Sequence, residues 1–176
     1  SMLESAGVRI PTDYNDAWDK AEFEDALKKL KDSGVEWPIY VRQNKPSTEY
    51  YTWMPFVASF GGDYMNRETG LCTGTLDSDN TIAAFNFLSQ LFTNGYADAT
   101  CDYEDSFQKG ENALALYGHS KYQDYKAALG DDLTLVPLPD MGNGVYTCSG
   151  STVMIMTTGA QESGKDDAVW AMLQEA

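Results

Sequence analysis

Apolar residues near the start of the chain recur at helical spacing. Phe23, Leu27 and Leu30 lie four and three apart behind Asp19, a residue suited to capping a helix, and Gly34 follows as a stop. The pattern predicts an amphipathic surface helix. Over 36–41 the period shortens to two, with Trp37, Ile39 and Val41 on one side, which predicts a strand entering a sheet, although Pro38 suits a central position poorly. Residues 49–60 hold the densest apolar and aromatic run, broken by Pro55 and closed by Gly61-Gly62, and this predicts a helix followed by a turn. A short strand is expected over 71–75. Asp77 or Ser78 then caps a helix with Ile82, Phe85, Leu88 and Phe92 on one face and Gly95 as its stop.

The second half continues the alternation. A short helix over 103–109 ends at Gly110, a buried strand spans 113–117 up to Gly118, and a helix covers Tyr122–Leu129 ahead of Gly130. Residues 133–138 read as a strand, Gly142-Asn143-Gly144 as a hairpin turn, and 153–156 as another strand before a last helix with Val169, Trp170 and Leu173. Strands alternating with helices argue for an α/β layered architecture, a sheet flanked by helices.

With 43% hydrophobic and 12% aromatic residues in 176, the chain can build a packed core and does not have the composition of a disordered one. Lys plus Arg number 12 against 27 Asp plus Glu, a net charge of -15, and that field repels phosphate backbones and anionic headgroups. Nucleic acid is therefore excluded as a main partner. The three cysteines, Cys72, Cys101 and Cys148, allow at most one disulfide and show no metal-binding spacing.

Catalytic chemistry finds little footing. His119 is the single histidine, so any imidazole dyad must be built on it, and nothing near it or near a cysteine suggests a nucleophile. The stretch 142–144 lacks the Lys and Ser or Thr of a phosphate loop. Asp13, Asn15, Asp16 and Glu24 are calcium-type ligands, but Trp18 stands where the sharp turn of such a loop needs Gly. No catalytic group, metal or cofactor is expected. Paired carboxylates for glycoside hydrolysis carry no information here, because 27 acidic residues always supply some pair. The aromatic run at Glu49-Tyr50-Tyr51-Thr52-Trp53, with Tyr117, His119 and Tyr122 further on, could match the C–H faces of sugar rings, while neighbouring carboxylates accept from hydroxyls; packing in a core is the ordinary alternative for each ring.

Read together, these segments resemble the extracellular solute-binding proteins of ABC importers, in the group typified by the maltodextrin-binding protein. The likeness runs through Leu3-Glu4-Ser5-Ala6-Gly7, Trp18 opening a helix, Pro55-Phe56 leading to Gly61-Gly62-Asp63, and Leu76-Asp77-Ser78. It continues through Phe107-Gln108-Lys109-Gly110-Glu111-Asn112-Ala113-Leu114, Gly118 and Val136-Pro137-Leu138-Pro139. The resemblance implies one lobe of a periplasmic-binding-protein type II fold: residues 1–146 as the second lobe, and 147–176 as a hinge crossing and partial return to the first. On this reading Ser1-Met2 is a short addition to the interior of a longer chain. The final strand and helix, left without the first lobe, are expected to pack abnormally or to pair with another molecule.

The resemblance also implies a function. The protein would capture a sugar or oligosaccharide outside the cell, as a periplasmic protein or one lipid-anchored in its full-length form, and deliver it to the membrane permease. The cleft aromatic of this lobe matches Tyr50, with Glu49 or Thr48 near the sugar-binding carboxylate; Tyr51 lies beside it. The second expected aromatic, a Trp two residues after Gly118, is replaced by Ser120, which leaves Tyr117, His119 or Tyr122 to supply the stacking surface, or else implies a ligand other than a maltodextrin. The rival functions are a glycoside-active enzyme or carbohydrate-binding module, and a protein-interaction domain.

Overall fold

Ser1 caps a one-turn helix, α1 (Met2–Ser5): its hydroxyl accepts the Glu4 N–H while the Glu4 carboxylate reaches back, and Leu3 is the residue it buries. The computed structural model describes residues 1–42, 46–100, 105–150 and 155–175, and over 46–50 the helical backbone alone. The capping box recurs at α2 (Lys20–Asp32), where Asp19 and Glu22 satisfy each other's backbone N–H groups. Phe23, Ala26, Leu27 and Leu30 form its buried stripe, and Gly34 at φ +98° ends it, as the spacing predicts.

β1 (Ile39–Val41) pairs in parallel with β2 (Leu114–Leu116), with Ile39 opposite Leu114, Tyr40 opposite Ala115 and Val41 opposite Leu116. All three β1 residues are buried, so both faces of the strand are covered, as parallel ladders require, and the strict one-sided alternation expected over 36–41 is not kept. Pro38 has no N–H to give, yet its carbonyl accepts from Ala113 N at 3.1 Å and Leu114 N at 2.9 Å and so starts the ladder.

Between the strands lie α3 (Pro46–Ser59) and α4 (Asp79–Thr93), which pack on each other. Ser78 caps α4 as expected, and of the expected face Leu88 is buried while Phe85 and Phe92 pack half-buried on the core; the fully buried stripe is Thr81, Ala84, Phe87, Leu88 and Leu91, and Ile82 is the residue that departs. Ile82 is 48% exposed. The reason is local: Asp63 N–H donates to Thr81 Oγ1 at 3.3 Å, and a Cβ on Gly62 would stand 2.9 Å from Thr81 Cα. The α3–α4 loop thus seats on Thr81 and covers it, leaving Ile82 outside.

After β2 come α5 (Tyr122–Leu129), α6 (Thr158–Glu162) and α7 (Asp166–Glu175). Phe23, Leu27, Leu30, Ile39, Val41, Phe56, Phe87, Leu91, Leu114 and Leu116 share one core, so helices cover the small sheet in an α/β arrangement. Several expected elements are not formed. Residues 71–75 form no strand and lead into a turn from 73, with Leu71 62% exposed and the N–H groups of Thr75 and Leu76 both closing on the Cys72 carbonyl. Residues 105–110 make a turn in place of the helix expected over 103–109, and positions 103 and 104 lie outside the described residues. Residues 133–138 run extended without a ladder: Val136 and Leu138 pack on the core while Pro137 removes a donor, and the run ends in an isolated bridge between Asp19 and Asp140. The apolar residues there report contact with the core, not strand pairing. With no flanking strands, 142–144 is not a hairpin; Asp140 Oδ1 accepts from Gly142 N at 2.8 Å and Gly144 N at 2.9 Å and so closes the turn. Of the strand expected over 153–156, residues 153 and 154 lie outside the described residues, and Ile155 and Met156 are not in a strand.

Candidate functional site

Two parallel strands in register end together, so Val41 and Leu116 release the chain at one edge. The carboxyl edge of a parallel sheet is where open α/β folds hold their ligands, because the connecting segments spread apart there. Asn112 helps to set this register: its side-chain amide donates to the Trp37 carbonyl at 2.8 Å and its oxygen accepts from the buried Ser106 hydroxyl at 2.7 Å.

Four of the seven candidate site residues follow β2 directly. Tyr117 leaves the strand half-buried; its ring lies 6.4 Å from that of Tyr40 at an interplanar angle of 15° and meets Tyr125 edge-on at 6.1 Å. Phe107 extends the cluster, 4.9 Å from Tyr125. His119 and Ser120 stand exposed in a short 3-10 turn, His119–Lys121, whose cap is Gly118, and Tyr122 begins α5 at 37% exposure. Tyr51 sits on α3, 49% exposed, against the backbone of Gly150, where a Cβ would collide with its ring and hydroxyl. Glu49 and Tyr50 belong to α3 by their backbone, and their side chains lie outside the described residues. Trp53, from the same aromatic run, turns inward and meets Phe85 edge-on at 6.2 Å, which is the core role.

Two neighbours of Tyr117 escaped the sequence reading. Tyr40 is 3% exposed, and Arg42 places its guanidinium carbon 5.1 Å from the Tyr117 ring centroid. The signal for both was the period of two, which puts residues 40 and 42 on one face of β1. Only the partner strand says what that face meets.

Two surface depressions are lined by none of the five candidates whose side chains are described. A groove of about 360 Å³ between α2 and α4 is floored by Leu27, Phe87 and Leu91, and one of about 200 Å³ is lined by Met54, Pro55, Ala58, Tyr146, Cys148 and Ser149. Burial pushes the Cys148 thiol above its ordinary pKa, away from the reactive thiolate. Among the described residues no group of three or more His, Cys, Asp or Glu side chains is placed to hold a metal ion. The calcium-type residues near the start have other partners: Asp13 accepts from Asn15 N at 2.7 Å, and Asp16 pairs with Arg9 at 2.8 Å.

Residues 1–171 match the family described as bacterial extracellular solute-binding protein. The chain belongs to that family. Among solved structures, this solute-binding protein is similar to the GacH receptor of Streptomyces glaucescens GLA.O, described unliganded and with acarbose and an acarbose homolog, at 23% identity and a TM-score of 0.66 over 82% of this chain. It is also similar to an ABC transporter solute-binding protein of Thermotoga lettingae TMO, described bound with α-D-tagatose, at 20% identity and a TM-score of 0.65 over 82% of this chain. The fold is thus that of a solute-binding protein. The matched region spans 36% and 38% of those two chains. No curated protein matches the sequence significantly. The family is extracellular by description, and no helix among the described residues is long and apolar enough to cross a membrane.

Proposed function

We propose that this chain is part of the ligand-capturing component of an ABC importer, which takes up a sugar or oligosaccharide outside the cell and passes it to the membrane permease. The observation that carries this reading is the row of aromatic and polar side chains, Tyr117, His119, Ser120 and Tyr122, at the common carboxyl edge of β1 and β2 in a chain of solute-binding family. The two similar structures, described with acarbose and with tagatose, support a sugar as the ligand class. Glu49, Tyr50 and Tyr51 are proposed to face the same ligand from α3. In this reading the protein binds and does not turn over its ligand.

Residues 1–146 are proposed to be one lobe, with 147–176 crossing away from it. Supporting this, among the described residues every buried apolar one lies at or before Met141, and α6 and α7 bury none of their described side chains. A lobe covers a ligand from one side only, so it forfeits much of the desolvation that sets affinity. Calorimetry on the full-length protein carrying this chain, against a panel of mono- and oligosaccharides, is expected to give a Kd on the order of micromolar for at least one sugar, with no sugar product released. Heat from no sugar, or turnover of a glycoside, would overturn the proposal.

A further inference from the structure

Eight asparagines lie along the chain, and two of them, Asn94 and Asn143, are followed by glycine. With no Cβ on the following residue, its backbone nitrogen can approach the asparagine side-chain carbonyl carbon and close on it. Both asparagines are exposed, so exposure does not separate them, but their bonding does. The Asn143 side-chain amide donates to the Ala58 carbonyl at 3.1 Å and to the Tyr146 hydroxyl at 3.3 Å, and its backbone N–H donates to the Ser59 carbonyl at 2.9 Å. The Gly144 N–H donates to the Asp140 carboxylate at 2.9 Å, and an anion there opposes loss of that proton.

Asn94 ends α4 at φ -85° and ψ -1°, and among the described residues its side chain has no hydrogen-bond partner. The Gly95 N–H donates to the neutral Phe92 carbonyl at 3.0 Å, in the outermost turn of the helix, where fraying releases it. Lys31 stands beside this glycine: its Nζ lies 3.7 Å from the place a Gly95 Cβ would take, held by the Glu36 carbonyl and the Trp37 ring. An ammonium favours the deprotonated nitrogen that a carboxylate opposes. The acidic residues lining the same groove as Asn94 are themselves paired, Glu24 with Lys20 at 3.9 Å and Asp25 with Lys29 at 2.7 Å. The turn also anchors the sheet. Tyr96 N and Ala97 N both donate to the Leu91 carbonyl, at 2.8 and 2.9 Å, which closes the helix, and the Tyr96 carbonyl accepts from Ile39 N at 3.0 Å where β1 begins.

We propose that Asn94 is a site of spontaneous deamidation and isomerisation, that Asn143 is spared, and that the change at Asn94 loosens the start of β1. The Gly95 nitrogen loses its proton and bonds to Asn94 Cγ, while the side-chain amide nitrogen takes up a proton and leaves as ammonia. Water then opens the cyclic imide at either carbonyl, giving aspartate or isoaspartate. Either product puts a carboxylate at the carboxyl end of α4, where the helix dipole disfavours it, and isoaspartate also lengthens the backbone within the turn. The test ages the full-length protein carrying this chain in mildly alkaline buffer, native and in urea, and follows both sites by peptide mapping with mass spectrometry. In the native protein Asn94 is expected to react at least about tenfold faster than Asn143, a ratio that falls to about one in urea. Lys31→Gln is expected to slow the reaction at Asn94, and Asp140→Asn, which keeps an acceptor for Gly144 N, to speed it at Asn143. Circular dichroism and the melting temperature of each variant establish that it is folded. After ageing, the Ile39 amide is expected to exchange its hydrogen faster than in fresh protein. A native Asn143 rate equal to or above that of Asn94, or a ratio unchanged in urea, overturns the assignment. A rate unmoved by its substitution overturns the charge argument for that site, and Ile39 exchange unchanged once Asn94 has converted overturns the link to β1.

Discussion

Ser59 is 1% exposed at the end of α3 and joins parts of the chain some 80 residues apart. Its hydroxyl accepts from Met141 N at 2.7 Å and donates to the Gly144 carbonyl at 2.6 Å, while its own carbonyl accepts from Asn143 N at 2.9 Å. Ser59→Ala takes the partner from the buried Met141 N–H and from the half-buried Gly144 carbonyl, so the expected loss is about 1–3 kcal/mol. A lower urea midpoint with an unchanged slope is the result to look for. Nothing in the local sequence around Ser59 announces this role. A serine inside an apolar helical run reads as a tolerated polar residue, and its partners are invisible until the fold brings residues 139–144 to it. Arg42 repeats the lesson, since a strand-end arginine acquires meaning only from the Tyr117 ring beneath it.

Among the elements, helix starts were the most legible. Asp19 with Glu22, and Ser78 ahead of α4, act within four residues, and such short-range hydrogen bonding is written directly in the spacing. Asp19→Ala removes the cap of the helix that supplies Phe23, Leu27 and Leu30 to the core, and it should lower the melting temperature by about 2–4 °C. Glu22→Ala added to it should cost less than the sum of the two single changes, because both act through one capping box. A melting curve in which the two losses add fully would show that the box is not the unit. Strands were less legible than helices. Residues 133–138 are apolar enough to read as a strand, yet pairing requires a neighbour with unsatisfied N–H and C=O groups, and that neighbour is a property of the fold. The edge of the α4 face was misjudged at Ile82 for a similar reason: overlapping sets of residues satisfy the helical period, and the seat of Gly62 on Thr81 brings Thr81 in and leaves Ile82 out.

Across the whole molecule, burial among the described residues stops before the chain does. Their last buried apolar residue is Met141, whereas Ile155, Trp170 and Met172 are 81%, 56% and 63% exposed. Removing residues 157–176 should therefore shift the melting temperature of the rest by less than about 2 °C, since none of the described residues removed is buried. A drop of 5 °C or more would mean that the tail packs against the body. Fluorescence offers an independent check, because acrylamide should reach Trp170 readily and Trp18, at 2% exposure, hardly at all.

The amino-acid sequence by itself determined the helix caps, the acidic surface, the lack of any nucleophile or metal pattern, and the order of motifs that marks a solute-binding chain. These depend on neighbours within a few residues or on sums over the whole chain. Only the tertiary structure decided which runs pair as strands, which side of α4 is buried, and which groups meet at the carboxyl edge of the sheet. Those outcomes depend on contacts between distant residues, where a hydrogen bond or a ring contact needs two partners and local sequence supplies one.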